Sequence, residues 1–182
     1  MIRDGEDVTI EGHEMAEFTV GHAIVPDGYT LADREQRLLD WSYVQERMIE
    51  AINYWVATAR PDGRPHVSPT WAVWHEDRLY FDGSPETRRM KNIAANPNVA
   101  VHLEDGTHAV IVEGTAGPVG KPARELAEAL VVLYAAKYEA MGYAPKPDQW
   151  DEGGLFVVAP TLALAWTEFG VDMTRWLIRR EG

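Results

Sequence analysis

The sequence contains no cysteine, and this absence excludes several kinds of site at once. Without thiols the chain has no disulfide framework, no thiolate ligands for zinc and no cysteine nucleophile. Its six histidines form neither an HxH nor an HExxH pattern, and its carboxylates lie mostly in predicted turns and on helix faces. We therefore predict neither a metal centre nor a carboxylate pair for acid–base catalysis.

Long apolar runs are missing as well. No stretch of about 18 or more apolar residues is present, so the sequence predicts no membrane-spanning helix. The N-terminal sequence is acidic and has no apolar core, which is unlike a secretory signal. We expect a cytoplasmic protein that does not bind membranes.

Positive charge is scarce: 17 lysines and arginines stand against 29 aspartates and glutamates, and the formal net charge is −12. A negative overall field disfavours general binding to nucleic acids and anionic membranes. It also makes one local cluster conspicuous, because Arg88, Arg89 and Lys91 lie within four consecutive positions. We therefore expect a small-molecule partner and no nucleic acid.

Three common catalytic motifs are also absent. The chain has no GxGxxG after a predicted strand, no GxxxxGK followed by Ser or Thr, and no GxSxG. These absences give no support to a Rossmann dinucleotide site, a P-loop or a hydrolase nucleophile elbow. Function must therefore be sought in the strands and in the basic cluster.

The 182 residues suit one domain, and the hydrophobic fraction of 46% suits an ordinary globular core. We predict a single domain over residues 1–182, with residues 1–35 as an N-terminal arm that packs on the body or on a partner subunit. Within the arm, the sequences VTI and EFTV are predicted to be short extended pieces.

The stretch 54–105 organises the chain. Strands are predicted at 54–59 and 64–74, and Asp62 with Gly63 joins them as a hairpin. Other strands are predicted at 78–81, 99–103, 109–119, 155–159, 162–167 and 174–178. Gly114 and Gly117 are predicted bend or bulge points in the long strand 109–119. Helices are predicted at 38–52, 85–95 and 122–141. Many short strands with few helices predict a mainly β, α+β fold, an antiparallel barrel with peripheral helices.

Alternation along the strand 64–74 divides its side chains between two faces. His66, Ser68 and Thr70 share one face, whereas Pro69 and Trp71 share the other. Proline cannot donate a hydrogen bond to a neighbouring strand. Pro69 therefore marks a sheet edge, a bulge or a place where a ligand lies alongside.

The helix predicted at 85–95 carries its cations in its first turns, beside Thr87, with Ser84 as the predicted N-cap. Cations at a helix N-terminus oppose the helix dipole, and such a local conflict is typical of a functional site. A phosphorylated, flat, aromatic ligand would fit strand edges beside this cluster. The alternative is that Arg88, Arg89 and Lys91 form an ordinary solvated helix face.

Four segments of the chain resemble a known superfamily. They read TARPDGRPHVSPTWAVW, GSPETRRMKNIAANPNVAVHLED, AVIVEGTA and TRWLI. In order and spacing they are similar to the split-barrel flavin-binding proteins, which include pyridoxamine 5'-phosphate oxidase-like proteins and flavin/deazaflavin oxidoreductases. The resemblance covers roughly residues 38–178 and implies an antiparallel split β-barrel of the FMN-binding type.

The resemblance also implies a cofactor site on an exposed groove. A hydroxyl and cationic donors hold the cofactor phosphate in such proteins, and charge-assisted hydrogen bonds suit a phosphate dianion. For Trp71 the alternative is packing in the core or between subunits. The residues implied to line the ring are His66, Ser68, Pro69, Thr70 and Trp71. Those implied to bind the phosphate are Thr87, Arg88, Arg89 and Lys91.

The chain departs from pyridoxamine phosphate oxidase itself. The strand pattern Arg-x-Val-Leu-Leu-Lys of that enzyme is absent, and pyridoxamine phosphate is therefore not the expected substrate. The chain looks closer to the branch that uses coenzyme F-420, a deazaflavin, so the expected cofactor is F-420 or FMN. The acidic tail of F-420 would need further cations, and this chain or its partner offers Arg60, Arg64, Arg88 and Lys137.

The resemblance implies an oxidoreductase that transfers a hydride between the bound cofactor and a small conjugated substrate. It also implies a homodimer with the cofactor at the subunit interface. The alternatives are a non-enzymatic FMN-binding protein for storage or sensing, an oxidase like pyridoxamine phosphate oxidase, and a structural protein without cofactor. The residues identify no catalytic acid; the proton would come from water or from a nearby tyrosine or histidine.

Overall fold

The computed structural model describes residues 8–11, 17–26 and 37–180. Within these residues ten strands form one antiparallel sheet, accompanied by three α-helices and one short 3-10 turn. The strands are β1 (Val8–Glu11), β2 (Glu17–His22), β3 (Tyr54–Ala59), β4 (Pro65–Thr70), β5 (Val73–His75), β6 (Arg78–Asp82), β7 (Asn98–His102), β8 (Val110–Pro118), β9 (Leu155–Ala165) and β10 (Thr174–Arg179). The helices are α1 (Trp41–Glu50), α2 (Arg88–Ala95) and α3 (Arg124–Tyr138).

The sheet follows the order β1-β2-β10-β9-β8-β7-β3-β4, and β5 and β6 join it through β9. Along one side β9 pairs with β8 throughout. On its other side it pairs first with β6 and then with β10, so the sheet divides at β9. The strand path in the described residues ends at β1 and β4 rather than closing. This is an antiparallel split-barrel fold with peripheral helices, as predicted.

Gly114 lies where β8 changes register against β9. A β-carbon at this position would clash with the backbone carbonyl oxygen of Ala159. Only glycine allows the two strands to approach so closely, because it has no side chain. The predicted bulge at Gly114 is confirmed, whereas β8 shows no register shift at Gly117.

Two buried clusters stabilise the fold. The larger one lies inside the barrel and includes Val56, Phe81 and Trp176, each nearly inaccessible to solvent. The second lies beneath α3 and includes Tyr134 and Trp150. Because α2 and the strands β3 and β4 meet above the first cluster, the basic segment is held on a rigid support.

The predicted strand 64–74 is two strands in the structure, and this is the main correction to the sequence-based assignment. The chain leaves β4 after Thr70 and enters β5 at Val73. Between them, the backbone N–H of Ala72 donates to the Tyr138 hydroxyl at 3.0 Å, and that hydroxyl donates to the Ala72 carbonyl at 2.8 Å. The side chain of Tyr138 therefore takes the place of a neighbouring strand at this point.

The predicted helices exist but are shorter than predicted. α2 begins at Arg88 rather than at residue 85, because Thr87 is its N-cap and accepts from the Met90 N–H. Ser84, the predicted cap, instead accepts from the Glu86 N–H in the preceding turn. α1 lacks both ends of the predicted span 38–52, and α3 passes into a 3-10 turn at Glu139–Met141.

One strand, β9, replaces the two segments predicted at 155–159 and 162–167, and it ends at Ala165, two residues before the second prediction. Pro160 does not interrupt it, although proline is rare inside paired strands. The register change of β8 against β9 falls at this point, where Gly114 lies opposite Pro160. The two predicted strands are therefore continuous.

Part of the predicted N-terminal arm belongs to the sheet. β2 pairs with β10 over six residue pairs, from Glu17 opposite Arg179 to His22 opposite Thr174. The rest of the predicted arm, residues 1–7, 12–16 and 27–35, lies outside the described residues. The assignment of 1–182 to a single domain stays a prediction. None of the helices described here is long and apolar enough to cross a membrane.

Candidate functional site

The inner face of β4 carries the polar side chains that the sequence placed there. His66, Ser68 and Thr70 are half-buried, whereas Val67 and Pro69 face outwards and are exposed. Within the described part of the chain, β4 pairs with β3 alone. The predicted alternation is therefore confirmed for these residues, and Pro69 lies on an edge strand.

The first turn of α2 lies directly against this face. The Arg89 guanidinium donates to the Ser68 hydroxyl at 3.3 Å, to the Pro69 carbonyl at 3.3 Å and to the Thr70 hydroxyl at 3.1 Å. Arg89 thus joins α2 to three of the residues predicted to line a ring, Ser68, Pro69 and Thr70. We call the inner face of β4 together with the first turn of α2 the cradle.

Arg89 is more enclosed than the sequence-based prediction of an exposed groove allowed. Its guanidinium lies 5.1 Å from the centroid of the Phe81 ring, and its buried Nε has no hydrogen-bond partner within the described ranges. This burial lowers the pKa of Arg89 from its ordinary value. Arg89 is the second residue of α2, and its side chain points towards the sheet. It therefore stabilises the cradle by holding α2 against β4.

The other two cations of the cluster are exposed, as predicted. Arg88 makes no hydrogen bond or ion pair with any residue in the described ranges. Lys91 forms an ion pair with Glu86 at 2.8 Å, and this contact lowers the pKa of the Glu86 carboxyl. Arg88 is therefore the cation of the cluster that remains free to meet an anion from solvent.

A buried amide fixes α2 on the sheet and was missed in the sequence-based site. Asn92 is fully buried, and its Nδ2 donates to the Thr58 hydroxyl at 2.9 Å. That hydroxyl donates to the His66 carbonyl at 3.3 Å, so α2, β3 and β4 are connected. The Oδ1 atom of Asn92 has no hydrogen-bond partner in the part of the chain that the structure describes. A signal was present, since Asn92 follows the basic cluster directly.

Trp71 lies beyond β4 rather than on it. Its ring stacks on Tyr138 with the centroids 4.9 Å apart, and it approaches Tyr143 at 6.0 Å. The indole therefore packs partly against the cluster beneath α3. Trp74 is buried in the barrel core. The position of Trp71 beside a cofactor ring stays a prediction.

The cations considered for an acidic cofactor tail are dispersed. Arg64 is bound to Asp62 at 2.6 Å in the exposed hairpin turn, and Arg60 lies at the end of β3. Lys137 on α3 donates to the Ala51 carbonyl and to the Tyr54 hydroxyl. No hydrogen bond joins Lys137 to the cradle among the described residues. A continuous track along one chain is therefore not formed by these side chains.

The outer face of the sheet near β4 is apolar and belongs to neither buried cluster. Trp55 stacks on His102 with the rings nearly parallel, 6.4 Å apart. Val67 beside them is 50% exposed. Side chains of the same outer face in the neighbouring strands are half-buried, and the strand registers place them in adjacent rows. They are Ala57, Ala100, Ile111, Leu162 and Leu164.

The donor set of the cradle fits a phosphate-bearing flavin. Arg88 and Arg89 have no carboxylate partner among the described residues, and they lie beside the capping hydroxyl of Thr87 at a helix N-terminus. Such a set of donors suits a phosphate group. The hydroxyls of Ser68 and Thr70 can face the polar edge of a ring. A metal site is a poorer fit, because no three His, Asp or Glu side chains gather in the residues that the structure describes.

Comparison with known families gives one match. The family described as pyridoxamine 5'-phosphate oxidase matches residues 44–166, which include all of β3 to β9, α2 and α3, and most of α1. No curated protein sequence matches the chain. The matched range contains every residue of the cradle.

Solved structures with the same fold include proteins of several functions. An F-420 reductase has 26% identity and a TM-score of 0.50, covering 76% of this chain and 98% of its own. A FAD-binding protein from Mesorhizobium loti has 17% identity and a TM-score of 0.54, with coverages of 77% and 96%. The heme storage protein HutZ from Vibrio cholerae has 21% identity and a TM-score of 0.50, with coverages of 66% and 89%.

Proposed function

The chain belongs to the pyridoxamine 5'-phosphate oxidase family, and on that premise we propose that it is a flavin- or deazaflavin-dependent oxidoreductase. The observation that carries this proposal is the contact of Arg89 with β4, which brings the basic helix start to the hydroxyl-lined strand edge. A bound flavin or deazaflavin would supply hydride transfer to or from a small conjugated substrate. The protein's own residues bind, orient and shield that group.

The phosphate end of the cofactor is assigned to the exposed start of α2. Arg88 and Lys91 offer charged hydrogen-bond donors, and the hydroxyl of Thr87 offers a neutral donor. The free backbone N–H groups in the first turn of α2 point out of its N-terminus and favour an anion there. The ion pair between Glu86 and Lys91 reduces the attraction of Lys91 for a phosphate. Arg88 therefore contributes most of the electrostatic attraction for the phosphate.

The ring end is assigned to β4 and its continuation. His66, Ser68 and Thr70 offer side chains from the inner face, Pro69 lies between them at the strand edge with its side chain outwards, and Trp71 follows. Arg89 holds two of these hydroxyls in fixed directions, because it is locked between β4 and the Phe81 ring. A preorganised arrangement of donors favours one ring orientation without a reorganisation cost. Arg89 would therefore orient the ring indirectly, by fixing the Ser68 and Thr70 hydroxyls that face it.

F-420 is placed ahead of FMN as the cofactor. Similarity to an F-420 reductase at 26% identity supports this order. Arg88 is exposed at the start of α2, so it is accessible to an acidic tail that extends beyond the phosphate. An FMN-binding role without turnover, in storage or sensing, is the alternative, and an oxidase reaction with pyridoxamine phosphate is a second one.

We also propose a homodimer in which the outer sheet face is covered by a second copy. The half-buried apolar rows around Trp55 and the half-exposed Val67 have the composition of an interface core. The cradle lies at the edge of the same sheet, on β4, so a partner subunit would complete its open side. Sedimentation at micromolar concentration tests this, and a monomer would contradict it.

The proposed function is tested by titrating the purified protein separately with FMN, F-420 and hemin and recording the visible spectrum after washing. Hemin is included because HutZ shares the fold. We expect retained F-420 or FMN, followed by several turnovers when the reduced cofactor and a quinone are supplied. Retention without turnover indicates a storage or sensing protein. Oxygen consumption with pyridoxamine phosphate and FMN indicates the oxidase, and retention of none contradicts a flavin function.

A further inference from the structure

A second concave site lies outside the cradle, between the C-terminal end of α1, β5 and α3. Its volume is about 330 Å³, and its walls include Ile49, Ile52, Val73 and Leu133. A cavity of about 150 Å³ with apolar walls already holds benzene, so this one has room for a ring and a polar group. Pockets of this size with apolar walls and few polar groups are typical of small-molecule sites.

The cavity contains one cation, Lys137, which is half-buried. Its ammonium donates to the Ala51 carbonyl at 2.9 Å and to the Tyr54 hydroxyl at 2.8 Å, both of which are neutral acceptors. No carboxylate lies within ion-pair distance of it in the described ranges of the chain. One ammonium hydrogen thus remains, and the charge has no anionic partner.

The positive charge of Lys137 carries a desolvation cost because the side chain is half-buried, and an anionic ligand would reduce that cost. Burial lowers the pKa of Lys137 to about 8, so the ammonium form still dominates at pH 7. The titratable groups around it are Glu50 on α1, Tyr54 on β3 and Tyr138 on α3. Burial raises the pKa of Tyr54 far above its usual range and that of Tyr138 to about 12, so both stay neutral near pH 7.

The apolar walls of the cavity are partly open to solvent. Ile49 is 51% exposed and Ile52 is 40% exposed at the end of α1. Covering such surface with an apolar group is favourable, at about 25 cal/mol per Å². Glu50 lies on the same cavity and repels further negative charge. The site is thus suited to a ligand with one negative charge and an apolar body.

We propose that the cavity between α1, β5 and α3 binds a small monocarboxylate with an aromatic or alkyl body, whose carboxylate pairs with Lys137. The body lies against the isoleucine and leucine walls. The dianionic phosphate of a flavin cofactor is disfavoured here by Glu50. The site is therefore separate in chemistry from the cradle, and its occupancy does not depend on the cofactor.

The proposal is tested by calorimetric titration of the full chain with phenylacetate and with phenylacetamide, which has the same body but no charge. At pH 7 we expect phenylacetate to bind more tightly by about tenfold or more, the effect of a charge-assisted hydrogen bond. Lys137→Met should abolish this preference, whereas Lys121→Met should keep it, because Lys121 is an exposed partner of Asp151. The preference should also fall between pH 7 and about 9.5 as Lys137 loses its proton.

A second variant keeps the test decisive if Lys137→Met does not fold. Ala136 lines the cavity and is exposed, so Ala136→Phe fills space there without disturbing the core. It should weaken the binding of phenylacetate and phenylacetamide alike. Equal affinities of the two probes for the unmodified chain, no binding of either, or a preference that survives Lys137→Met would each overturn the proposal.

Discussion

The cradle and the cavity next to α3 are joined by the two residues between β4 and β5, and they hold positive charge in similar ways. In the cradle Arg89 is bound by three neutral oxygens of β4. In the cavity Lys137 is bound by two. Neither cation has a carboxylate partner among the described residues. Each is therefore a half-buried charge that neutral oxygens alone hold in place among the described residues.

The two regions differ in how the chain builds them. The basic part of the cradle is one contiguous segment on one helix, whereas the cavity takes its walls from α1, β5 and α3. They also differ in chemistry, because an arginine keeps its charge under all ordinary conditions and a lysine does not. The cradle is thus suited to a permanent anion such as a phosphate, and the cavity to binding that depends on pH.

The largest expected effect comes from the residue that links the two regions. The Tyr138 hydroxyl accepts from the Ala72 N–H, and its single hydrogen is shared between the carbonyls of Ala72 at 2.8 Å and Ile52 at 2.9 Å. Tyr138→Phe would leave buried backbone groups unpaired, each at a cost of about 1–3 kcal/mol, so we expect a loss of about 3 kcal/mol in the free energy of unfolding. Urea unfolding measures it.

The matched control for that variant is Tyr43→Phe, since the Tyr43 hydroxyl is buried and has no hydrogen-bond partner among the described residues. Its removal should leave stability unchanged or slightly improved. Equal losses in the two variants would show that the bonds of Tyr138 do not connect the regions.

The second effect separates support from binding inside the cradle. Arg88→Ala should weaken cofactor binding by about 1–3 kcal/mol and leave the unfolding free energy unchanged, because Arg88 is exposed and without a partner in the described chain. Arg89→Ala should weaken binding and also lower stability, because three oxygens of β4 lose their donor. Fluorescence titration and urea unfolding measure the two quantities. Full stability in Arg89→Ala would contradict its supporting role.

The third effect concerns pH and the cavity. The pKa of Lys137 is about 8 in the folded chain, below the ordinary value of 10.5, so the unfolded chain binds more protons between these values. The unfolding free energy should therefore rise with pH from 8 upwards, by about 1 kcal/mol up to pH 9.5 once solvent screening is allowed for. This rise should be missing in Lys137→Met and present in Lys121→Met. A parallel pH profile in all three proteins would place Lys137 in solvent.

The smallest expected effect concerns Glu86, whose negative charge lies beside the proposed phosphate position and weakens anion binding there. Glu86→Gln removes the partner of Lys91 and a negative charge beside the phosphate position. Because the pair is exposed, we expect a gain in cofactor affinity of under about 1 kcal/mol, decreasing with added salt. Glu128→Gln on α3 changes the net charge equally and serves as the control. Equal gains in both variants would indicate a general charge effect.

Much of the fold and the cradle was predictable because the signals are local. The hairpin at Asp62 and Gly63 and the alternation of His66, Ser68 and Thr70 depend on neighbours in sequence. The bulge at Gly114 was also predicted from one residue type. What failed depends on distant residues: the strand break after Thr70 is made by Tyr138, which lies 66 positions from Ala72. The enclosure of Arg89 likewise depends on Phe81 and β4.

The cavity was not predictable for the same reason. Lys137 was noticed as a cation in the sequence, but its neighbours Ile49 and Val73 come from other elements. No spacing rule connects them. Asn92 is an intermediate case, since its place after the basic cluster was visible but its bond to Thr58 was not.

One measurement tests the central claim most directly, that the cradle rather than the cavity holds the cofactor. The unmodified chain, Arg88→Ala and Lys137→Met are titrated with F-420 and with FMN at one salt concentration. We predict weaker binding of the retained cofactor in Arg88→Ala, by about 1–3 kcal/mol, and unchanged binding in Lys137→Met. Unchanged binding in Arg88→Ala together with a loss in Lys137→Met would contradict it and place the cofactor anion at α3.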